Sequence, residues 1–279
     1  MASETPVVAS PAAASPRRRP RRVGERLSPR RYAATAVATF VVLIAVWWAA
    51  TAFGLVDPLF LPGPDAVVAK LIAQAQNGQL WSDIAVSVYR IFVGFLLATV
   101  MALPLGVLMG ANAHAEAALE PLIDFVRYMP VVAFVPLTIL WVGTDDAQKF
   151  LIIWIGTFFQ QVLLIADAVR QVPVSFVQLG ETLGMGRAGI LMRIVFPSAL
   201  PRIWDAMRIC LGWAWTWLVV AELVAATSGM GYRIMTAQRF FATDTIIGYV
   251  LVLGLLGLVF DQVMRAAGRR MFRHQRAAS

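Results

Sequence analysis

Glu222 is the residue of this chain that most needs a chemical explanation, because it is the single acid in the otherwise uncharged apolar run Ile209–Tyr232. A carboxylate inside a membrane helix costs about 2.5–3.5 kcal/mol on insertion scales, so it must face protein or water and find a partner. Three chemistries suit it. It could cap backbone amides of the Ser228–Tyr232 turn or pair with Arg233, touch a solute or gate, or carry a proton. Trp213, Trp215 and Trp217 lie on the same run and read as packing or anchoring residues, with Trp213 and Trp217 kept beside Glu222 as candidates to line a pathway. Earlier in the chain, Arg127 follows Asp124 by three residues, the spacing at which helical side chains meet, so the two could pair structurally or take part in gating. Pro130 and Pro136 interrupt the helix ladder just beyond, which lipid tolerates only where neighbouring groups satisfy the freed carbonyls. That helix is expected in the protein interior, beside any pathway.

No enzyme site accompanies these residues. The chain has two lysines, Lys70 and Lys149, and neither stands in a GxxxxGK phosphate cradle, so no ATP hydrolysis is expected of this subunit. Hydrolase and zinc-protease motifs are missing as well. A single cysteine, Cys210, excludes an internal disulfide, and His114 and His274 fall in unrelated segments, so neither a metal nor a cofactor is expected.

The elements that must position these residues are membrane helices. At 59% hydrophobic and 14% charged, the composition is far from that of a soluble domain, where about a quarter of residues carry charge. A span needs about 20 mostly apolar residues. Tyr32–Val56 and Ile91–Ala115 carry no acidic or basic charge, while Tyr128–Thr144, Phe150–Ala166 and Thr245–Phe260 are shorter uncharged runs. Six spans are expected, near 32–54, 87–110, 119–142, 149–168, 203–226 and 244–264.

Arginine placement orients them. Arg17, Arg18, Arg19, Arg21, Arg22, Arg26, Arg30 and Arg31 precede the first span; Arg170, Arg187, Arg193, Arg202 and Arg208 separate the fourth from the fifth; Arg265, Arg269, Arg270, Arg273 and Arg276 follow the sixth. The opposite loops hold Lys70, Lys149, Arg233 and Arg239. By the positive-inside rule, both termini and the 169–202 loop are expected in the cytoplasm. Residues 1–31, rich in Ala, Pro, Ser and Arg, read as a disordered basic tail attracted to anionic lipid; 32–268 as the transmembrane domain; 269–279 as a second basic tail. No cleaved signal peptide is expected, since the apolar run after the tail is of spanning length. Topology accounts for the pI of 10.5, so no nucleic-acid partner is inferred.

The longest basic loop has its own pattern. From Val174 to Met185 it reads as a short helix with Phe176, Leu179 and Leu183 on one side. Gly184 suits a left-handed helix end, and Gly186 and Gly189 continue a tight reversal. Ile190 to Val195 resume an apolar stretch, and Pro197 and Pro201 suit the opening turn of the fifth span. The product is a lever: a helix, a glycine elbow, and a second helix entering the membrane. Its apolar face could fill a groove on a partner, with Glu181, Arg187 and Arg193 setting register at the rim, or the loop could lie on the membrane surface.

The stretch 178–197, QLGETLGMGRAGILMRIVFP, resembles the EAA loop of ABC-importer permeases. Gly184, Ile194 and Pro197 occupy the family's Gly and Ile-x-Leu-Pro positions at the family's spacing; Gln178, Leu179 and Gly180 replace Glu-Ala-Ala, and Phe196 replaces Leu. Further segments resemble permeases of the nitrate, sulfonate, taurine and bicarbonate type. These are Leu59-Phe60-Leu61-Pro62-Gly63-Pro64, the Arg127–Pro136 segment, Leu140-Trp141-Val142-Gly143, Ala221-Glu222-Leu223 and Gly229-Met230-Gly231-Tyr232. The resemblance implies an all-α polytopic fold of the type I importer kind in a bacterial cytoplasmic (inner) membrane. It also implies partners: a separate ATP-binding subunit gripped through 174–197, a solute-binding protein outside, and a second permease copy, a homodimer. The contrasting expectation is an ion-coupled secondary carrier working through Glu222. Gly106 and Gly110, and likewise Gly254 and Gly257, suit close helix approach, within the chain or at a dimer seam.

Overall fold

The computed structural model describes residues 28–272, so most of the two expected tails, 1–31 and 269–279, lies outside the described residues; within them, 29–31 belong to the first helix and 269–271 to the last, so both helices run past the expected tail boundaries. The residues up to Ala49 form one unit and those from Ala50 another. The described part of the first unit is the body of helix α1 (Pro29–Ala52). Thr35 and Thr39 donate their hydroxyls to the carbonyls of Arg31 and Thr35 at 2.9 and 3.0 Å, which satisfies them without water.

The second unit contains α2 (Pro64–Gln76), α3 (Gln79–Ala111), α4 (Ala113–Arg127), α5 (Val135–Val142), α6 (Asp146–Arg170), α7 (Val174–Thr182), α8 (Arg187–Ile190), α9 (Phe196–Ala225), α10 (Met230–Arg239) and α11 (Thr243–Met271). Among the described residues of the chain, five helices are long and apolar enough to cross a membrane, and six if the α4–α5 pair counts as one span. That pair corrects the expectation of a single third helix. Its halves, Ala113–Arg127 and Val131–Val142, are bent by 83° at residues 128–130, and the second half opens with a 3-10 turn, Val131–Phe134. Two prolines explain the break: Pro130 precedes the turn in an extended conformation, and Pro136 sits in the first turn of α5, where a missing N–H costs nothing.

The closest packing is between α3 and α6. Gly94, Ala98, Ala102, Gly106 and Gly110 recur every four residues along α3, and Ala98 and Ala102 are fully buried. A Cβ added at Gly94 would lie 2.8 Å from Ile153 Cβ; one at Gly106 would lie 2.7 Å from both Ile165 Cβ and the Val162 carbonyl; one at Gly110 would lie 2.7 Å from the Ala166 carbonyl. Small residues thus let two backbones approach, the device that replaces hydrophobic burial between helices in lipid. The glycine pair Gly106 and Gly110 is therefore intrachain packing. Gly254 meets nothing within 4 Å.

Helix α9 also packs on α6, where Trp217 lies on Gly156. Helix α11 is fastened to α9: Trp204 Nε1 donates to the Met264 carbonyl at 2.8 Å beside Gly268, and Asp261 pairs with Arg208 and Arg265, each at 3.1 Å. At the arginine-rich end, Arg170 joins α4 to α6 through Glu116, Glu120 and Asp167.

Candidate coupling loop and buried charge network

Helix α7 ends in a Schellman motif. The N–H of Gly184 donates to the Glu181 carbonyl at 2.9 Å, the N–H of Met185 to the Gly180 carbonyl at 3.0 Å, and Gly184 has φ +70°. The elbow rests on this one glycine. Gly186 is extended (φ −68°, ψ 159°) and Gly189 lies inside α8, so the expectation that both continue the reversal is corrected.

Gly180 explains the motif's spacing. It is buried, and a Cβ there would stand 2.8 Å from Ile194 Cδ1 and 2.9 Å from Ile190 Cγ1. Ile194 is the isoleucine of the Ile-Val-Phe-Pro frame, so the third triplet position and the frame touch across the elbow. The helix turned inward through Gly180 points its large side chains away: Val174, Phe176, Leu179 and Leu183 are exposed, as is Gln178, while Val177 packs into the core. Glu181 and Arg187 face a cavity of about 370 Å³ beneath the elbow, whose walls include Gly110, Arg170 and Val177.

Beyond the elbow α9 opens at Phe196 without a break from the residues before it. Residues Arg187–Val224 form one continuous rod of 38 residues. A π-helical segment, Leu191–Val195, admits the proline: Phe196 N–H donates to the Leu191 carbonyl, which shifts the ladder before the residue that cannot donate. Pro197 thus stands in the first turn of α9 as its position in the sequence suggests, while Pro201 falls inside the helix and not in its opening turn.

At the far end of the molecule, opposite this loop, Glu222 is 1% exposed and fully engaged. Its Oε1 accepts from Arg90 Nη1 at 2.8 Å, its Oε2 from the Gly231 N–H at 2.8 Å, and Ser87 Oγ lies 2.9 and 3.0 Å from the two oxygens. Ser87 in turn accepts from the Met230 N–H at 2.9 Å. Glu222 therefore meets the 228–232 turn as one expectation had it, but its cation is Arg90. Arg233 pairs instead with Asp83 at 3.0 Å, which also accepts from Tyr249 at 2.9 Å. Neither Arg90 nor Asp83 was singled out by sequence reasoning. The available signal was a lone arginine inside the expected second span, which demands a buried carboxylate as surely as Glu222 demands a cation.

The other candidates do not converge on Glu222 as a single site. Arg127 pairs with Asp124 at 2.8 Å and sits over the Tyr128 ring, partly exposed. Val131 and Val135, in the segment flanked by Pro130 and Pro136, pack in one cluster with Ile152, Ala221 and Trp217. Trp217 faces α6, whereas Trp213 is half exposed. Among the described residues no group of His, Cys, Asp and Glu could hold a metal.

Residues 102–273 match the family described as binding-protein-dependent transport system inner membrane component. The taurine transport system permease protein TauC of Escherichia coli (strain K12) is 32% identical over 256 residues, covering 90% of this chain and 93% of that protein. A probable ABC transporter permease protein of Brucella abortus (strain 2308) is 37% identical over 240 residues, covering 86% and 95%. The MetNI methionine ABC transporter in an inward-facing conformation superposes with a TM-score of 0.60 at 19% identity, over 72% of this chain and 97% of that one, which shows the type I importer fold. A multi-pass helical chain with an elbow of this spacing and these relatives belongs to the binding-protein-dependent transport system inner membrane component family, the permeases of ABC transporters.

Proposed function

We propose that this chain is the pathway-forming subunit of an ATP-driven importer, working as a homodimer on two ATP-hydrolysing partner subunits. The arginine-rich end faces the cytoplasm and the Glu222 end the outside, where a solute-binding protein delivers cargo. The observation that carries this reading is the outward-turned apolar face of α7, held by the Gly180 contact and joined through a fixed elbow to a rod that enters the membrane. Closure of the ATPases on ATP would press this face inward and turn the rods. ATP and the loaded binding protein must then prefer different states, because a ligand that binds both equally shifts nothing. The cargo proposed is a small solute bearing a sulfonate group, as the name of the taurine relative suggests. A carrier run by an ion gradient through Glu222 is not favoured, since both carboxylate oxygens are already occupied by protein donors.

Leu179→Asp puts a charge into the exposed apolar face without touching the core. It is expected to weaken the ATPase subunit's association by about 2 kcal/mol, roughly 30-fold, read by co-purification and titration. Undiminished binding would remove the docking role. Gly184→Val acts through the backbone alone, because nothing lies within 4 Å of the added Cβ. Left-handed φ costs a branched residue about 1–2 kcal/mol, so ATP-dependent uptake should drop while the amount of chain in the membrane stays normal. Normal uptake by this variant would contradict the elbow.

A further inference from the structure

The guanidinium of Arg90 is saturated. Nε and Nη2 reach Asp146 Oδ1 at 2.8 and 2.7 Å, Nη1 reaches Glu222 Oε1 at 2.8 Å and the Ser228 carbonyl at 2.6 Å, and Nη2 reaches Ser228 Oγ at 3.1 Å. These contacts employ all of its donors, a number that only arginine offers from one planar fork. They also join separate parts of the fold. Asp146 opens α6 directly after the turn that leaves α5 at Gly143, whose φ is +79°, and Ser228 belongs to the turn between α9 and α10. Lys149 closes the first turn from within by donating to the carbonyls of Thr144 and Asp145, and Gln148 Nε2 reaches Thr138 Oγ1 of α5 at 3.3 Å.

Charge balance alone does not call for this arrangement. Arg90 and Glu222 have side chains 4% and 0% exposed and already neutralise each other, and a buried pair contributes little to stability compared with apolar residues of the same volume. What the pair adds is geometry. The second carboxylate, Asp146, is 45% exposed and could be solvated by itself, yet it is drawn onto the opposite edge of the same fork.

We propose that Arg90 is the positioning residue of the far end of the pathway: one guanidinium sets the α5–α6 turn and the α9–α10 turn in fixed places relative to α3. The first turn ends α5, which packs on α6 and α9, and the second ends α9, which packs on α6; in the importer reading their spacing sets the mouth through which solute enters from outside. This deepens the importer reading and depends on it for the direction of transport, though not for the link between the turns.

The test places spin labels at Thr144 and Thr227, both exposed, in full-length chain carrying Cys210→Ala and reconstituted in lipid nanodiscs. Label distances are measured by pulsed electron resonance, and uptake is measured in cells expressing the complete transporter. Arg90→Lys keeps the charge beside Glu222 and so preserves folding, followed by size-exclusion profile, but one ammonium cannot span both carboxylates. The expected result is a distance distribution broadened about twofold with uptake reduced roughly tenfold, as misplacement of a working group produces. Asp146→Asn spares the buried pair and should give an intermediate broadening. A native width in Arg90→Lys, or native uptake despite broadened turns, overturns the proposal; so does a native width in Asp146→Asn. Should the unsubstituted chain show no ATP-dependent uptake, the importer reading fails while the label distances still decide the role of Arg90.

Discussion

Glu222→Ala should lower stability by about 3–5 kcal/mol and strip most folded chain from detergent extracts, because removing one partner of a buried pair strands the other. The stranded groups are specific. Arg90 Nη1 keeps only the Ser228 carbonyl, the Gly231 N–H loses its acceptor, and the Ser87 hydroxyl loses both carboxylate oxygens. No water replaces them readily in a site this closed, and each orphaned donor adds about 1–3 kcal/mol. Glu222→Gln is the informative companion. Its carbonyl oxygen can still accept from Gly231, and its size is unchanged, so transport should survive with a moderate loss of stability. Thermal unfolding of purified chain and solute uptake read the two effects separately. An alanine variant within 1 kcal/mol of native would show that the network does not hold the far end together. Lost uptake in a stable glutamine variant would assign the carboxylate a gating or coupling role.

What could be read from the sequence follows from what the sequence signals encode. Charge-free runs found the spans because insertion depends on composition over a window, and Asp124–Arg127 was found because both partners lie one turn apart on one helix. Gly184 was legible because a left-handed helix end has few residue choices. Arg90 was not, since its partners are distant in the chain: Asp146 and Glu222 come from the starts or ends of other spans. A lone arginine in an expected span signals that a buried carboxylate exists but not which one. Proline also marks a break without saying how it is resolved. At Pro130 and Pro136 the outcome is an 83° bend between two helices, whereas at Pro197 a π-segment carries the rod straight through. The difference lies in what packs around each proline, which local sequence does not state. The altered triplet is a further case: Gly180 departs from the family alanine, and its close contact with Ile190 and Ile194 is made across the elbow by residues 10 and 14 positions on, which local sequence does not reveal.

Gly106→Leu tests the seam that connects the two ends. The site lies in the close contact between α3 and α6, and the first added atom would already stand 2.7 Å from the Val162 carbonyl, a backbone atom that no rotamer change can move. Overpacking of this kind costs about 3 kcal/mol when neighbours cannot yield, and leucine adds three further carbons. The helices must separate, and the separation is felt at both ends. Four residues on from Gly106, Gly110 borders the cavity beneath the elbow; near the other end of α3, Ser87 and Arg90 hold the charge network. Loss of native thermal stability should therefore accompany loss of uptake. Gly254→Leu is the matched control, an identical change in a span with nothing within 4 Å, and it should leave folding intact. If Gly106→Leu folded normally, the small-residue row would not be the feature that sets α3 against α6. If Gly254→Leu folded but abolished uptake, that open face of α11 would be where a second copy or another subunit packs, and the alternative seam raised by the glycine spacing would gain its evidence there.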